Sequence, residues 1–129
     1  MVYEASITIE EFYVRVELSG ERERGREAED SLRVWEEVIQ VLKENDLQAI
    51  LSILSLGGRL PTMAGYQIAT TLDKIGIPRQ TRIALVDLNS DSRSDNEFAA
   101  TVAVNRGYLA RTFCSEEQAL EWLLEENKS

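Results

Sequence analysis

Two short apolar runs, LQAILSILSL at residues 47–56 and RIALVDL at residues 82–88, constrain this chain more than anything else in it. Each has the length of a strand and is apolar on both faces. Each must therefore be covered from above and below, as a strand inside a parallel sheet is. The segments around them carry the helical period instead. Ala28, Leu32, Trp35, Ile39 and Leu42 are spaced 4, 3, 4 and 3 apart, the stripe of an amphipathic helix that opens near residue 26 and stops at Asn45-Asp46. A second helix is expected from Thr62 to Ile75, ending at Gly76 with Pro78 just beyond. After the second run, Ser94 and Glu97 have capping-box spacing and open a helix with Phe98, Val102 and Asn105 on one side. YLARTF, residues 108–113, reads as a further strand. Ser115 and Gln118 form a second capping box before a final helix that turns Ala119, Leu120, Leu123 and Leu124 inward.

The beginning of the chain alternates. Phe12, Val14, Val16 and Leu18 share one face, Tyr13, Arg15 and Glu17 the other, and Ala5, Ile7 and Ile9 alternate with Ser6, Thr8 and Glu10. This predicts an antiparallel pair over residues 2–18, joined near Glu10-Glu11 and ended by Ser19-Gly20. The order is then β-β-α-β-α-β-α-β-α, an α/β fold with a mostly parallel sheet, right-handed crossovers and an antiparallel N-terminal edge strand. No repeat, low-complexity tract or linker interrupts it, so one domain is expected over residues 1–129.

Between the third helix and the strand after it lies Asn105-Arg106-Gly107. A helix that must reverse into a strand favours glycine there, and a cation in the last turn suits the helix dipole, so this tripeptide is read as a stop signal and not as a site.

The search for chemistry is mostly exclusion. The chain has no histidine, which removes Ser-His-Asp and Cys-His mechanisms and the commonest metal ligand. Cys114 is the sole cysteine and has no partner within the chain, as expected in a reducing compartment; beside Glu116 and Glu117 it reads as a small residue at a strand end. Asp87-Leu88-Asn89-Ser90-Asp91 starts like a calcium loop. The pattern fails where Ser92 replaces glycine and Phe98 the bidentate glutamate. Gly57-Gly58-Arg59 lies between a buried strand and a helix, where open α/β sheets bind ligands, yet neither a Gly-Lys-Ser/Thr nor a G-x-G-x-x-G pattern follows. No cofactor, metal site or catalytic residue is expected. A formal net charge of −9 disfavours nucleic acid as a partner. The densest basic stretch, Glu21 to Glu27, alternates with carboxylates and reads as a solvated loop and helix entrance. No apolar run approaches the roughly 18 residues of a membrane helix, and the acidic, alternating N-terminus is unlike a signal peptide, so a cytoplasmic location is expected.

The strand RIALVDL, the segment FAATVAVNRG, the strand YLARTF and the closing SEEQALEWL together resemble the small bacterial SpoIIAA-like proteins, the STAS/SEC14-type domains. The resemblance is clearest over residues 76–124. It implies an α/β superhelix with helices packed on a four- or five-stranded sheet, in a group many of whose members have no assigned activity. The better-known STAS relatives are anti-sigma-factor antagonists that bind a partner kinase and are switched by phosphorylation of a serine in an Asp-x-Ser-Gly-like motif. The matching region here, ILSLGGRLPTMAGYQ, lacks that motif, so the switch does not carry over. Ser55 and Thr62 are the nearest hydroxyls, read as a strand end and a helix cap. The SEC14 side of the resemblance implies a small apolar ligand or lipid between sheet and helix; Met63, Tyr66, Ile68 and Leu72 are placed to line such a groove, but their helical spacing reads first as core.

The sequence therefore points to a non-enzymatic regulatory or protein-interaction module. It is expected to bind a protein partner, or itself, through Ser55, Gly57, Gly58, Arg59, Leu60, Thr62, Met63 and Tyr66, with exposed apolar side chains such as Leu60, Met63 or Tyr66. The alternative, a carrier of a small apolar ligand, predicts a closed cavity beneath helix 62–75.

Overall fold

Hydrogen bonding in the computed structural model, which describes residues 3–125, follows the expected order. Strands β1 (Tyr3–Ile9) and β2 (Val14–Glu21) precede α1 (Glu27–Glu44); then come β3 (Ala49–Gly57), α2 (Thr62–Ile75), β4 (Arg82–Asp87), α3 (Arg93–Asn105), β5 (Leu109–Phe113) and α4 (Glu116–Leu123). Val2, where the alternation begins, lies outside the described residues, as do both ends of the expected 1–129 span.

The sheet order is β1-β2-β3-β4-β5, with β1 antiparallel to β2 and every other pair parallel. A sheet laid down in sequence order with crossovers of one hand puts all its crossover helices on one face. That face holds the main core: Val14, Val16 and Leu18 of β2, Ile50 and Leu54 of β3 and Ile83 of β4 pack under Leu42, Leu72 and Ala103 of the three helices. Among the described residues the other face has only the two-turn α4. Its Ala119 and Leu123 cover Leu51, Ile53, Ala84 and Val86. Beyond its reach the sheet is polar, with Glu17 opposite Ser6 and Arg15 opposite Thr8. Arg15 ties this open part to α4 through a two-pronged pair with Glu116, at 2.7 and 2.9 Å.

Several expectations shift in detail. β2 runs past Ser19-Gly20 because Gly20 and Glu21 still pair with Leu56 and Gly57 of β3. Phe12 does not share the inward face of Val14: it lies in the connection closed by the Glu10 N–H on the Tyr13 carbonyl and is 63% exposed. Alternation alone cannot separate the first strand residue from the last turn residue. Ala5 and Ile9, on an edge strand at the rim of the helix layer, are exposed, whereas Tyr3 and Ile7 pack against the core. α3 begins at Arg93, ahead of the Ser94 capping box. Its inward residues are Asn96, Ala100 and Ala103, while Phe98 and Asn105 are exposed. In α4 the Ser115 hydroxyl accepts from the Gln118 N–H as expected, but Leu124 falls beyond the last turn and is exposed.

The stop at Asn105-Arg106-Gly107 takes the form read from the sequence. Gly107 has φ +94°, and the Gly107 and Tyr108 N–H groups bond back to the Val104 and Ala103 carbonyls. Arg106 caps the helix and reaches Asp73 at the end of α2, at 3.4 Å. The buried Tyr108 donates its hydroxyl to the same carboxylate, and Arg79 adds an ion pair at 2.7 Å while lying over the Tyr108 ring.

Candidate functional site

At the opposite end of the sheet, the carboxyl ends of β3 and β4 are organised by two aspartates that sequence reading did not single out for this role. Asp95, in the first turn of α3, accepts both prongs of the Arg59 guanidinium at 2.7 Å and the Leu60 N–H at 3.0 Å. The Arg59 guanidinium holds the Asp95 carboxyl below its ordinary range. This fixes the β3–α2 loop onto α3 from outside. Asp87, the last residue of β4 and buried, fixes the next loop from inside. Its carboxylate accepts from Ser92 Oγ at 2.7 Å, Asn96 Nδ2 at 2.6 Å and the Asn89 N–H at 2.9 Å. Ser92 holds the N-cap position of α3 in place of Ser94, but it spends its hydroxyl on Asp87 and leaves the helix without a side-chain cap. With its oxygens so occupied, Asp87 is a structural clasp.

The residues expected to bind a partner separate into groups. Met63 and Tyr66, three apart on the first turns of α2, are 68% and 46% exposed. Arg59 is also exposed and frames them. Leu60 is not available: it is buried against Ala64 and Ile68, beside Leu32 and Trp35, because the Asp95 bond to its N–H turns its side chain under α2. Thr62 is exposed but caps nothing; Pro61 holds the N-cap position. Gly57 is still in β3 and Gly58 turns the chain away from it. Ser55 is exposed on the sheet face opposite the helix layer, since it pairs with Ser19 on the Glu17 side. The structure thus brings Arg59, Met63 and Tyr66 together and puts Ser55 on the other side of the sheet. It adds Phe98, expected inward, whose ring stands 3.8 Å from where a Cβ on Gly65 would sit and which is 40% exposed.

Beneath the start of α2 lies a partly open cavity of about 70 Å³, bounded by β1, β2, β3, α1, α2 and α3. Ile68 lines it and, with Leu72, a second, apolar space of about 40 Å³ further along α2; Met63 and Tyr66 point out to solvent. Both volumes are far below the roughly 300 Å³ at which ligand pockets for drug-sized molecules begin. Neither has room for a lipid chain.

No protein-family model and no curated protein sequence matches this chain. Solved structures do. One is an anti-sigma factor antagonist from Mycobacterium paratuberculosis, which superposes with a TM-score of 0.60 at 14% identity over 95% of this chain and 94% of that one. Another is an uncharacterised protein of the DUF3478 family with a SpoIIAA-like fold from Shewanella loihica PV-4, with a TM-score of 0.55 at 20% identity over 95% and 96%. The chain adopts the SpoIIAA-like fold. Within that SpoIIAA-like frame the β3–α2 loop lies at the carboxyl edge of the sheet, with the β4–α3 loop beside it through Asn89 Nδ2 on the Leu56 carbonyl at 2.9 Å.

Arg22 is the other residue at this edge that the sequence concealed. It belongs to the alternating run Glu21 to Glu27, expected to be solvated, yet it is half-buried. Its Nη1 donates to the Gly58 carbonyl at 2.8 Å, and burial draws its pKa down. Among the described residues no three His, Cys, Asp or Glu side chains gather as metal ligands, and Cys114 is exposed in the β5–α4 turn. No helix among the described residues is long and apolar enough to cross a membrane.

Proposed function

We propose that this chain is a non-enzymatic regulatory or protein-interaction module, working in the cytoplasm, that engages a protein partner through the surface formed by Arg59, Met63, Tyr66 and Phe98. One observation carries the reading: two large apolar side chains stand exposed on the first turns of α2, next to a loop clamped by Asp95 on one side and braced by Arg22 on the other. A rigid frame that presents apolar groups to water lowers the entropy cost of docking, and such anchors supply most of the affinity where they enter a partner's pocket. The anti-sigma factor antagonist among the structural neighbours supports a partner-binding role at the level of fold. The charge of −9 favours a partner with basic groups around the contact over a nucleic acid.

A carrier of lipid is not favoured, because the two spaces under α2 are only about 70 and 40 Å³. An enzymatic role has no support in Asp87, whose carboxylate is occupied by three donors.

The test is affinity capture from the protein's native cells with wild-type bait and a Met63→Asp/Tyr66→Ser double variant of matched melting temperature. A protein enriched by the wild type and lost by the variant is expected. Equal enrichment by both baits would place the interaction elsewhere. Self-association is checked with the same pair by sedimentation velocity.

A further inference from the structure

The cavity under α2 is too small for a lipid, but its walls are not those of a filled core. Ser52 interrupts the apolar run of β3 and, 2% exposed, faces it. Tyr3, Ser31 and Asn96 bring polar groups from β1, α1 and α3, and Arg22 stands on the wall from the end of β2. The rest is apolar, including Leu18, Leu54, Leu56 and the Trp35 ring. Arg22 is the group out of balance. Among the described residues no carboxylate pairs with it; its donors meet only the Gly58 and Leu56 carbonyls, at 2.8 and 3.5 Å. Asp87, bonded only to neutral donors, keeps its charge and acts on Arg22 from a distance, as does Asp95, which is paired with Arg59; neither touches the Arg22 guanidinium. Glu27, on the same wall, is engaged with the Gly25 N–H at 3.0 Å. A half-buried guanidinium whose donors are only partly filled is costly unless a further acceptor joins it.

We propose that this cavity is a binding site for a small monocarboxylate with a short apolar stem, its carboxylate on Arg22 and its stem among Leu18, Leu54 and Trp35. The size sets the stem: the space is about half of an engineered cavity of roughly 150 Å³ that accepts benzene. The charge sets the head group. One guanidinium opposed by the nearby Glu27 suits a monoanion and disfavours phosphate, which draws on several cations or a nest of backbone N–H groups. Tyr3 is fit to donate the second hydrogen bond, since burial pushes its pKa up to about 12 and keeps its proton in place. Ser52 is left to orient the ligand, or a water beside it, at the inner wall, since the Asn96 amide hydrogens are held by Asp87 and the Ser92 carbonyl. The site goes beyond the docking surface and stands or falls without it, although Arg22 also braces the Gly58 end of the docking loop.

The probe is sodium propionate, titrated into the ¹⁵N-labelled full chain at constant ionic strength, with propionamide as its neutral isostere. Saturable shifts are expected at the Trp35 indole N–H and the Ser52 and Asn96 amides, with propionamide about tenfold weaker or more, the scale of a hydrogen bond to a charged group. Arg22→Met is expected to remove the difference between the two probes. Glu27→Gln, which deletes the competing negative charge, is expected to tighten propionate binding several-fold. The opposite signs of the two variants protect the test from a variant that merely loosens the fold. Equal isotherms for propionate and propionamide on the wild type would overturn the proposal. So would unchanged propionate affinity in a folded Arg22→Met variant, or shifts that never saturate.

Discussion

The two ends of the sheet are built from the same device and left in different states. At the amino end, Asp73 gathers Tyr108, Arg79 and Arg106 and ties the end of α2 to the start of β5. At the carboxyl end, Asp95 and Asp87 gather Arg59, Ser92 and Asn96 in the same way. At the amino end each group finds a direct partner: the Asp73 carboxylate meets the Arg79 and Arg106 guanidiniums and the Tyr108 hydroxyl. The carboxyl end keeps Arg22 without a carboxylate, a polar-walled cavity, and Met63 and Tyr66 in water. The proposed docking surface and cavity both lie at the carboxyl end, while the amino end exposes Phe12 and Leu109 of its own.

The largest expected effect comes from the clasp that both loops at the carboxyl end depend on. Asp87→Ala strands the buried Ser92 hydroxyl and Asn96 amide and is expected to cost roughly 3 kcal/mol, read as a chemical-denaturation midpoint shift at unchanged slope. If the loss is below about 1 kcal/mol, the carboxyl end is not held as described. Next is the amino end. Gly107→Val forces a β-branched residue to φ +94° and puts its Cβ 2.7 Å from Arg79 Nη1, at an expected cost of roughly 2 kcal/mol. An unchanged melting temperature would remove the helix-stop reading of Asn105-Arg106-Gly107.

Acid sharpens the comparison because both ends rest on carboxylates. The Tyr108 hydroxyl and then Arg79 hold Asp73 below its ordinary value of 3.8, and Arg59 does the same for Asp95. A carboxylate with a lowered folded pKa contributes stability that is present above the unfolded value and lost as pH falls through the folded one. The melting temperature should therefore hold from neutral pH to about 4 and fall below it, and Asp73→Asn or Asp95→Asn should each flatten that fall. Thermal melts across that range check it; a loss of stability on raising pH from 4 to 7 would contradict the sign. The smallest effect on stability is expected at the proposed docking surface. Met63→Ser and Tyr66→Ser should each stay within about 0.5 kcal/mol, as exposed substitutions do. Thermal melting of the two variants reads this, and a cost above 1 kcal/mol would mean these side chains serve the fold.

The elements of the fold were legible because their signals are local. Apolar runs bracketed by helical stripes specify β3 and β4 and the crossovers around them, and Gly76 and Gly107 mark two helix ends within a residue. The site was less legible because its parts are distant in sequence. Arg59 and Asp95 are 36 residues apart, and neither carries a motif. Phe98 fitted the helical period of α3, but Asn96 took the inward side because Asp87 called for its amide. Arg22 was hidden among alternating charges, and only the run of β2 past Gly20 carries it under the Gly58 carbonyl. One signal was present and went unused. Ser52 and Ser55 interrupt one apolar strand three residues apart, so they must face opposite sides of the sheet. Ser55 reaches water, which leaves Ser52 to face the interior and announces a polar-walled space there.

The claim that the carboxyl end is the binding end is tested most directly by photo-crosslinking in native cells, with a benzophenone amino acid placed at position 63 or at position 109. Both native residues are large, apolar and exposed, Met63 at the carboxyl end and Leu109 at the amino end of β5. A discrete crosslinked protein species from position 63, absent from position 109, is the predicted result. Crosslinking from position 109 alone, or the same species from both positions, would contradict the account.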